Sequence, residues 1–545
     1  MDRANATRSM TKLRRAVLAL SLMLAALLPL SGCDEAPTTE LRVLAGSETR
    51  SLEPLIQEFA HATRAKITMR YAGPVDIRNE LNAGIAIAAD AVWPANGMWI
   101  QLGDTQGIVR DEDSIMRTPV VLGVRMSLAR KLGWDKTPPR MADVVGAATE
   151  GGLRLGATSG TQSNSGAQLF LGALHALSGR TDALTLADLE STDLQGRVRA
   201  LLSAVSRSSG SSAWLKDFVV ANPGAVDAMA NYEAMVVAAN QELSAKGAEL
   251  LYAVYPTDGM TVADHVLGFV DRPGDKANDA KRALFREFRD WLLQEPQQRR
   301  IHALGWRTGR VGIEMPNADR TVFRPEWGLD PARTISPVRM PSSEVIAAAL
   351  DLYQGGGVRK PSETVILYDV SGSMQGAGIT AARDGLRAIL DQAAARRVLL
   401  QAGAGDVLHV IPFSGTLQPA MTIRGNGAAE YAGLLPRVLA LEAEGGTDFY
   451  TGIEAAWALL EGARAAGRLP AIVLMTDGKS DMRYAKPVLL QLSERQPGEN
   501  IPILSILFGD ADPAQLDELA RLSGGRVFDG RRDLTRAFRD ARGYN

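Results

Sequence analysis

Cysteine and histidine are scarce in this 545-residue chain, and neither sign of charge is in excess. The single cysteine, Cys33, excludes an internal disulfide bond. Basic and acidic side chains number 60 and 62, and no Lys/Arg run or basic–aromatic pattern occurs, so we expect no nucleic-acid partner. Five histidines leave few candidates for a general base, and only His409 follows residue 361. The chain is too long for one hydrophobic core, so we expect two or three domains.

An apolar run over residues 16–30 follows a basic stretch at the amino terminus. As a helix it would span about 22 Å, less than the ~30 Å hydrocarbon core, which favours a secretory signal over a transmembrane anchor. The segment Leu30-Ser31-Gly32-Cys33 resembles the lipobox of bacterial lipoproteins, whose cysteine is acylated after cleavage. The resemblance implies a signal peptide over residues 1–33 and a lipid anchor on Cys33. Asp34 resembles the retention signal of enteric lipoproteins, which implies the periplasmic face of the inner membrane.

Short apolar segments alternate with amphipathic ones over residues 40–335, which is typical of parallel α/β architecture. Strands are predicted at 41–45, 66–71, 89–94, 118–125 and 153–156. This order, with strands that end in turns rich in Ser, Thr or Gly, resembles bacterial extracellular solute-binding proteins of the two-lobed periplasmic type. The resemblance implies that the chain leaves one lobe near Thr118 and returns near 262–270. It also implies a small-molecule ligand in the inter-lobe cleft.

Ligands of such a fold bind at the carboxyl ends of its strands, where helix amino termini offer unpaired N–H groups. By that reasoning the candidate ligand-binding residues are Ser47, Glu48, Asn96, Thr158, Ser159, Thr161 and Tyr232. The cluster Thr158–Thr161 is the densest among them. Each Ser or Thr could equally be an ordinary helix cap worth about 1 kcal/mol. Glu48 would repel a bare oxyanion, so the identity of the ligand stays open.

Prolines and glycines mark a connector at residues 336–361. Six prolines between 309 and 361, together with Gly355-Gly356-Gly357, prevent a long regular element, and one helix is predicted at 342–353. We expect this connector to pack on one of the flanking domains, which the sequence places at 40–335 and 362–545.

The segment LYDVSGSM at residues 367–374 ends a strand-like run and presents three oxygen-bearing side chains, Asp369, Ser371 and Ser373. A phosphate-binding loop requires a lysine in a glycine-rich frame, and this turn has none. A nucleophilic serine is usually framed as G-x-S-x-G and requires a base, whereas Ser371 follows Asp369-Val370. These exclusions favour a metal site.

Two further oxygen donors follow: Thr447 before a helix predicted at 450–460, and Asp477 after a buried strand at 471–475. Because the carboxyl ends of parallel strands share one edge of a sheet, all five side chains can converge. The pattern D-x-S-x-S with a later Thr and a later T-D-G resembles the metal-ion-dependent adhesion site (MIDAS) of von Willebrand factor type A (VWA) domains. The resemblance covers about residues 362–541. It implies a Mg²⁺ or Mn²⁺ site formed by Asp369, Ser371, Ser373, Thr447 and Asp477, with an acidic residue of a protein partner as a further ligand.

The sequence therefore predicts an α/β protein, in which a two-lobed periplasmic-binding-protein-like domain is followed by a doubly wound, Rossmann-like VWA domain. No general base accompanies the metal-site residues, so we expect a binding protein rather than an enzyme. The predicted function is that of a lipid-anchored cell-envelope protein that engages a protein partner through its metal site. The alternative is the solute-binding component of a membrane transporter, with the VWA domain as a docking module.

Overall fold

The computed structural model describes residues 39–150, 152–308, 315 and 318–544. Within these residues two α/β units follow one another, each built on its own sheet. No helix in this described part of the chain is both long and apolar enough to cross a membrane. The predicted signal peptide and Cys33 lie outside the described residues.

Strands and helices alternate through most of the first unit. Its described strands are β1 (Glu40–Ala45), β2 (Lys66–Tyr71), β3 (Ala91–Trp93), β4 (Val109–Arg125), β5 (Leu155–Thr158), β6 (Val205–Ser209), β7 (Ala228–Tyr232), β8 (Leu251–Val254) and β9 (Val262–Val270). Its described helices are α1 (Glu53–Thr63), α2 (Pro74–Leu81), α3 (Met98–Gly103), α4 (Met126–Leu132), α5 (Met141–Glu150), α6 (Asn164–Ser178), α7 (Leu186–Leu189), α8 (Thr192–Ser203), α9 (Ser212–Ala221), α10 (Glu233–Ala245), α11 (Asn278–Leu292) and α12 (Glu295–Ala303).

Strands β4 and β9 run between the two lobes of the first unit. The sheet order is β2-β1-β3-β9-β4-β7-β5-β6, with β8 paired to β4. Strand β1 is parallel to β2 and β3 in one lobe, and β5 is parallel to β6 and β7 in the other. The sheet is mixed rather than purely parallel, because β4 and β9 run antiparallel to their neighbours. The crossings expected near Thr118 and 262–270 lie on these two strands.

Strand β4 begins at Val109, well before the predicted start at Thr118. Its first half is acidic, which is unfavourable for a strand judged from local sequence alone. In the structure, Asp111 accepts hydrogen bonds from Arg282 Nε at 2.8 Å and from Arg286 Nε at 3.0 Å, both on α11. These long-range contacts place the acidic segment beside a basic helix and extend the strand.

The connector and the residues just before it pack on the first unit. Phe323, Trp327 and Leu329 are buried in the core of the second lobe. Helix α13 (Ser343–Gly355) then buries one face, including Val345 and Tyr353, in the larger core of the first unit.

The second unit is a parallel sheet with one antiparallel edge strand. Its strands are β10 (Ser362–Asp369), β11 (Val407–Phe413), β12 (Met421–Arg424), β13 (Leu469–Thr476), β14 (Ile503–Leu507) and β15 (Arg526–Asp529), in the order β12-β11-β10-β13-β14-β15. Only β12 is antiparallel to its neighbour. The described helices are α14 (Ala377–Leu390), α15 (Gln392–Arg397), α16 (Ala428–Leu439), α17 (Phe449–Leu460), α18 (Ala485–Ser493), α19 (Pro513–Ser523) and α20 (Leu534–Arg542).

Helices cover both faces of this second sheet. Alternate residues of β10 show it: Ile366 and Tyr368 join one core, whereas Val365 and Leu367 join the other. The chain continues from β10 to β11 on one side and later returns to β13 on the other, so the strand order reverses at β10. In open α/β sheets a ligand site lies at the carboxyl end of such a strand, which here is Asp369.

Candidate metal centre and solute cleft

Asp369 is the buried anchor of the metal centre predicted from sequence. It ends the central strand β10 and is fully buried. The Ser371 backbone N–H donates to its Oδ1 at 2.7 Å, and the Thr476 hydroxyl donates to its Oδ2 at 2.6 Å. The two hydrogen bonds fix the carboxylate at the carboxyl edge of the sheet.

The other four predicted residues come together around this edge. Ser371 Oγ and Ser373 Oγ are 3.1 Å apart, and Ser373 Oγ donates to Asp477 Oδ1 at 2.7 Å. A Cβ built on Gly478 would lie 3.0 Å from Thr447 Oγ1 and 3.2 Å from Ser373 Oγ. The glycine therefore leaves open a small space among the hydroxyls.

Burial dominates the electrostatics of the two carboxyl groups. It raises the pKa of Asp369 to about 6 and also raises the pKa of Asp477. The charge of Asp510 adds to the rise in the pKa of Asp477. Repulsion between Asp369 and Asp477 contributes less than burial does to the pKa of Asp369. A cation that takes these oxygens as ligands would favour their charged forms.

The donor set fits a hard divalent cation. Two carboxylates and three hydroxyls offer only oxygen, which Mg²⁺ and Mn²⁺ prefer. Across the residues that the structure describes, no group of three or more His, Cys, Asp or Glu side chains is arranged to hold a metal. The hydroxyls of Ser371, Ser373 and Thr447 are therefore essential to any metal site here.

The cleft of the first unit is closed by contacts between its lobes. Asn164 Nδ2 donates to Tyr232 Oη at 2.9 Å, and Tyr232 Oη donates to Glu48 Oε1 at 3.4 Å. Trp99 Nε1 donates to Asn164 Oδ1 at 2.8 Å. Glu48 and Trp99 belong to one lobe and Asn164 and Tyr232 to the other. Ser47, which was predicted with Glu48, lines a cavity together with Glu48 and Asn164.

Asn96, also a predicted cleft residue, has its amide engaged by the backbone. Its Oδ1 accepts from the Met98 N–H at 2.8 Å, and its Nδ2 donates to the Val262 carbonyl at 3.3 Å. These bonds tie the end of β3 to the start of β9, so they support the inter-lobe strands.

The predicted cluster Thr158–Thr161 faces the connector helix α13. The Thr161 hydroxyl donates to Gln354 Oε1 at 3.3 Å, and a Cβ on Gly160 would lie 2.9 Å from the Tyr353 ring. Ser159 Oγ is hydrogen-bonded to Thr161 Oγ1 at 3.2 Å. The Thr158 hydroxyl is buried against Ser165 Oγ at 2.8 Å. The structure therefore places Ser159, Gly160 and Thr161 under the connector.

Comparison with known families accounts for both units. Residues 41–307 match the family model of the bacterial extracellular solute-binding protein, and residues 364–479 match that of the von Willebrand factor type A domain. The chain joins a bacterial extracellular solute-binding domain to a VWA domain.

Solved structures match parts of the chain at low identity. Iron-bound HitA from Pseudomonas aeruginosa is 15% identical and matches over 58% of this chain and 98% of its own, with a TM-score of 0.42. A ferric binding protein from Campylobacter jejuni is 11% identical, over 57% and 98%, with a TM-score of 0.43. A von Willebrand factor type A protein from Catenulispora acidiphila is 20% identical, over 34% and 42%, with a TM-score of 0.28. No curated protein matches the chain.

The role of Thr476 within the T-D-G motif and two further features of the VWA metal edge were missed from the sequence. Thr476 binds Asp369, Asp510 raises the pKa of Asp477, and Gly509 allows β14 to approach Asp477, since a Cβ there would lie 2.7 Å from Asp477 Cβ. The available signal was position: Thr476 ends β13, and Gly509 and Asp510 follow β14 closely at the same edge.

The VWA domain is docked on the solute-binding domain. Lys360 Nζ donates to the carbonyls of Ser203 and Val205 at 3.0 and 2.9 Å, and Leu469, the first residue of β13, packs on the first domain's core. The amino ends of the VWA strands thus face the solute-binding domain. The metal edge, at their carboxyl ends, faces away.

Proposed function

We propose that this protein is a lipid-anchored cell-envelope binding protein whose VWA domain uses a divalent metal to engage a protein partner. The observation that carries the proposal is the convergence of Asp369, Ser371, Ser373, Thr447 and Asp477 at one sheet edge. Mg²⁺, or Mn²⁺, is the proposed ion, because it prefers six hard oxygens. When bound, the ion would supply an electrophilic position for an acidic side chain of the partner.

The residues around the proposed site favour binding over hydrolysis. His409 is the only histidine after residue 361. Its Nδ1 is hydrogen-bonded to Thr422 Oγ1 at 2.8 Å, and its Nε2 is hydrogen-bonded to Glu363 Oε1 at 3.2 Å. It pairs with Val365 of β10, four residues before Asp369, which corresponds to about 13 Å along a strand. A histidine base at the metal edge is therefore lacking from the described part of the VWA domain.

Exposed apolar side chains beside the metal edge support a protein partner. Met482 is 51% exposed and Tyr484 is 47% exposed. They follow Asp481, whose backbone N–H donates to the Thr447 carbonyl at 3.0 Å. Exposed aromatic side chains are typical of binding surfaces, where they supply much of the affinity. We propose that they contact the partner around its acidic residue.

The proposed location follows from the first domain and from Cys33. An extracellular solute-binding domain indicates the cell envelope or periplasm. A lipid on Cys33 would lie seven residues before the start of β1, a reach of about 25 Å, so the solute-binding domain would stay close to the membrane. Cys33→Ser should therefore release the protein from the membrane fraction or leave it unprocessed. A processed variant that still requires detergent for extraction would contradict the anchor.

The metal-dependent function is tested by capture of partners from envelope extract. Asp369→Asn keeps a side chain of the same shape but removes the charge that the metal needs. Asp384→Asn is the matched control, since Asp384 is exposed on α14 and pairs with Arg387. Wild type and control should capture the same proteins with Mg²⁺ and lose them in EDTA, whereas Asp369→Asn should capture none. Equal capture by all three proteins with and without EDTA would contradict the proposal.

A further inference from the structure

A cavity between the two domains is a feature that the metal centre does not explain. Its volume is about 200 Å³, and we call it the interdomain chamber. Residues of the solute-binding domain, including Glu48, Arg50 and Ser163, line one side. Residues of the VWA domain, including Arg526 and Arg536, line the other. The chamber is thus continuous with the inter-lobe cleft but is completed by the second domain.

The carboxy-terminal segment of the VWA domain closes the mouth of the cleft. Arg539 on α20 forms an ion pair with Asp76 on α2. Arg536 Nη2 donates to the Tyr71 carbonyl at 2.7 Å. The Tyr544 ring lies edge-on to Trp214, with ring centroids 5.2 Å apart. These contacts hold the segment against the mouth of the cleft.

Glycine at position 210 makes the closure possible. A Cβ there would lie 2.8 Å from the Tyr544 ring, closer than a side chain tolerates. Gly543 similarly approaches Gln162, since its Cβ would lie 2.9 Å from Gln162 Cγ. Gly210 directly follows β6 of the second lobe, and Gly543 belongs to the carboxy-terminal segment that covers this lobe. The fit is therefore specific to small residues on each side of the contact.

Three arginines and three acidic residues line the chamber, and the ion pairs that they form leave more positive than negative charge free. Arg50, Arg526 and Arg536 contribute three guanidinium groups. Among the acidic residues that line it, Asp76 is paired with Arg539, and Asp540 lies 4.0 Å from Arg536. Burial raises the pKa of Glu48, the remaining one, which favours its neutral form.

Two of these arginines have donors to offer an anion. Arg526 contacts the Tyr544 hydroxyl through Nη1 and stacks on the Phe528 ring, 5.3 Å from its centroid. Arg50 lies over the Tyr71 ring at 4.2 Å. These contacts hold the guanidinium groups in place while leaving part of each planar fork available, and that fork matches the oxygens of carboxylate and phosphate groups.

We propose that the interdomain chamber binds a small anionic solute, of the carboxylate or phosphate class, and that Arg526 of the VWA domain and Arg50 of the solute-binding domain are among its direct ligands. The inference deepens the proposed function, because it assigns a solute class to the cleft. It also makes the VWA domain part of the solute site rather than a neighbour of it.

The test measures anion binding to the full-length protein at constant ionic strength. Inorganic phosphate and citrate are the anionic probes, and glucose and glycine are the neutral and zwitterionic ones, each measured by calorimetry. We expect phosphate or citrate, but neither glucose nor glycine, to bind the wild type. Loss of one charge-assisted contact in Arg526→Gln or Arg50→Gln should weaken that binding about tenfold or more.

The control is Arg531→Gln, because Arg531 pairs with Asp529 on the exposed surface and does not line the chamber. It should bind the anion as the wild type does. Arg526→Lys keeps the charge without the planar fork, so an intermediate loss is expected even if Arg526→Gln disturbs Tyr544. Absence of phosphate and citrate binding, tighter binding of glucose or glycine, or full affinity in both chamber variants would overturn the inference.

Mg²⁺ binding at the proposed metal site should raise the melting temperature of the VWA domain. Measuring this rise beside anion binding distinguishes failure of the chamber proposal from failure of the metal proposal. If Mg²⁺ raises the melting temperature of the wild type and of all variants, while anion binding is lost only in the chamber variants, both proposals stand. If the rise is absent from the wild type while anion binding depends on Arg526, the metal proposal fails and the chamber remains.

Discussion

Replacing Gly478 by alanine should weaken metal binding to the VWA domain without changing any charge. The new Cβ would lie 3.0 Å from Thr447 Oγ1 and 3.2 Å from Ser373 Oγ, so one or both hydroxyls would have to shift by a few tenths of an ångström. Mg²⁺ requires near-ideal octahedral geometry with oxygens at about 2.1 Å. Such a shift therefore degrades two of the five proposed ligands at once, and we expect a Kd at least about tenfold higher.

The size of the effect follows from the linkage between binding and folding. At a Mg²⁺ concentration about 100 times the wild-type Kd, binding should stabilise the folded domain by about 2.7 kcal/mol. With a Kd tenfold higher, the same concentration stabilises by about 1.4 kcal/mol, a loss of roughly 1.3 kcal/mol. For a domain of about 150–250 residues, each kcal/mol shifts the melting temperature by about 2–4 °C. Gly478→Ala should therefore lose about 3–5 °C of the Mg²⁺-induced rise.

The assay is thermal unfolding in EDTA and across a Mg²⁺ titration, with Gly433→Ala as the control. Gly433 is exposed in α16, and a Cβ there meets no atom within 4 Å. Its replacement should add about 1 kcal/mol of helix propensity and leave the Mg²⁺ response unchanged. If Gly478→Ala kept the wild-type Kd, the ion would not bind among these hydroxyls, and the assignment of the metal centre would be refuted.

Three further predictions concern the partner surface, the domain contact and the connector. Tyr484→Ser should reduce partner capture but not the Mg²⁺ response, whereas Leu490→Ser, which alters a 56% exposed residue farther along the same segment, should leave capture intact in the same pull-down. Arg539→Ala removes the ion pair with Asp76, so hydrogen exchange followed by mass spectrometry should be faster in α2 and α20, and unchanged rates would contradict closure of the cleft by this contact. Burial alone would raise the pKa of Asp406, but Arg359, Arg542 and the Ser362 N–H hold it at about 2. Asp406 therefore contributes about 2 kcal/mol of stability above pH ~4 that is lost as the pH falls towards 2. Urea unfolding of Asp406→Asn should show a deficit at pH 7 that narrows below pH 4, and a constant deficit would count against this assignment.

The metal edge could be anticipated from sequence because its geometry is set locally. Asp369, Ser371 and Ser373 occupy one turn after a recognisable buried strand, and Asp477 follows another. Parallel strands bring such ends to one edge whatever the details of the fold. Thr476 was assigned no role within the T-D-G motif, and Asp510 escaped notice, because Thr and Asp at strand ends are common turn formers and only contact with Asp369 or Asp477 distinguishes them.

The cleft could not be anticipated in the same way, because distant segments decide what covers each strand end. Ser159 and Thr161 follow a strand of the second lobe as Ser47 and Glu48 follow one of the first. They are nevertheless covered by Tyr353 and Gln354, nearly 200 residues later in the chain. The contact between Arg536 and Tyr71 spans a sequence separation of 465 residues. Nothing in the local composition of either segment indicates such a neighbour.

The position of the VWA domain determines which ligands the protein can hold together. Its strands begin beside the solute-binding domain, where Lys360 and Leu469 make contact, and end at the metal edge on the far side. Strand β15 runs in the same direction, with Arg526 in the interdomain chamber and Asp529 at the carboxyl end of the strand. A partner at the metal edge therefore need not displace the solute-binding domain. A solute in the chamber needs the two domains to be docked, because Arg526 reaches it only in that arrangement. The proposed partner and the proposed solute can thus be bound at the same time.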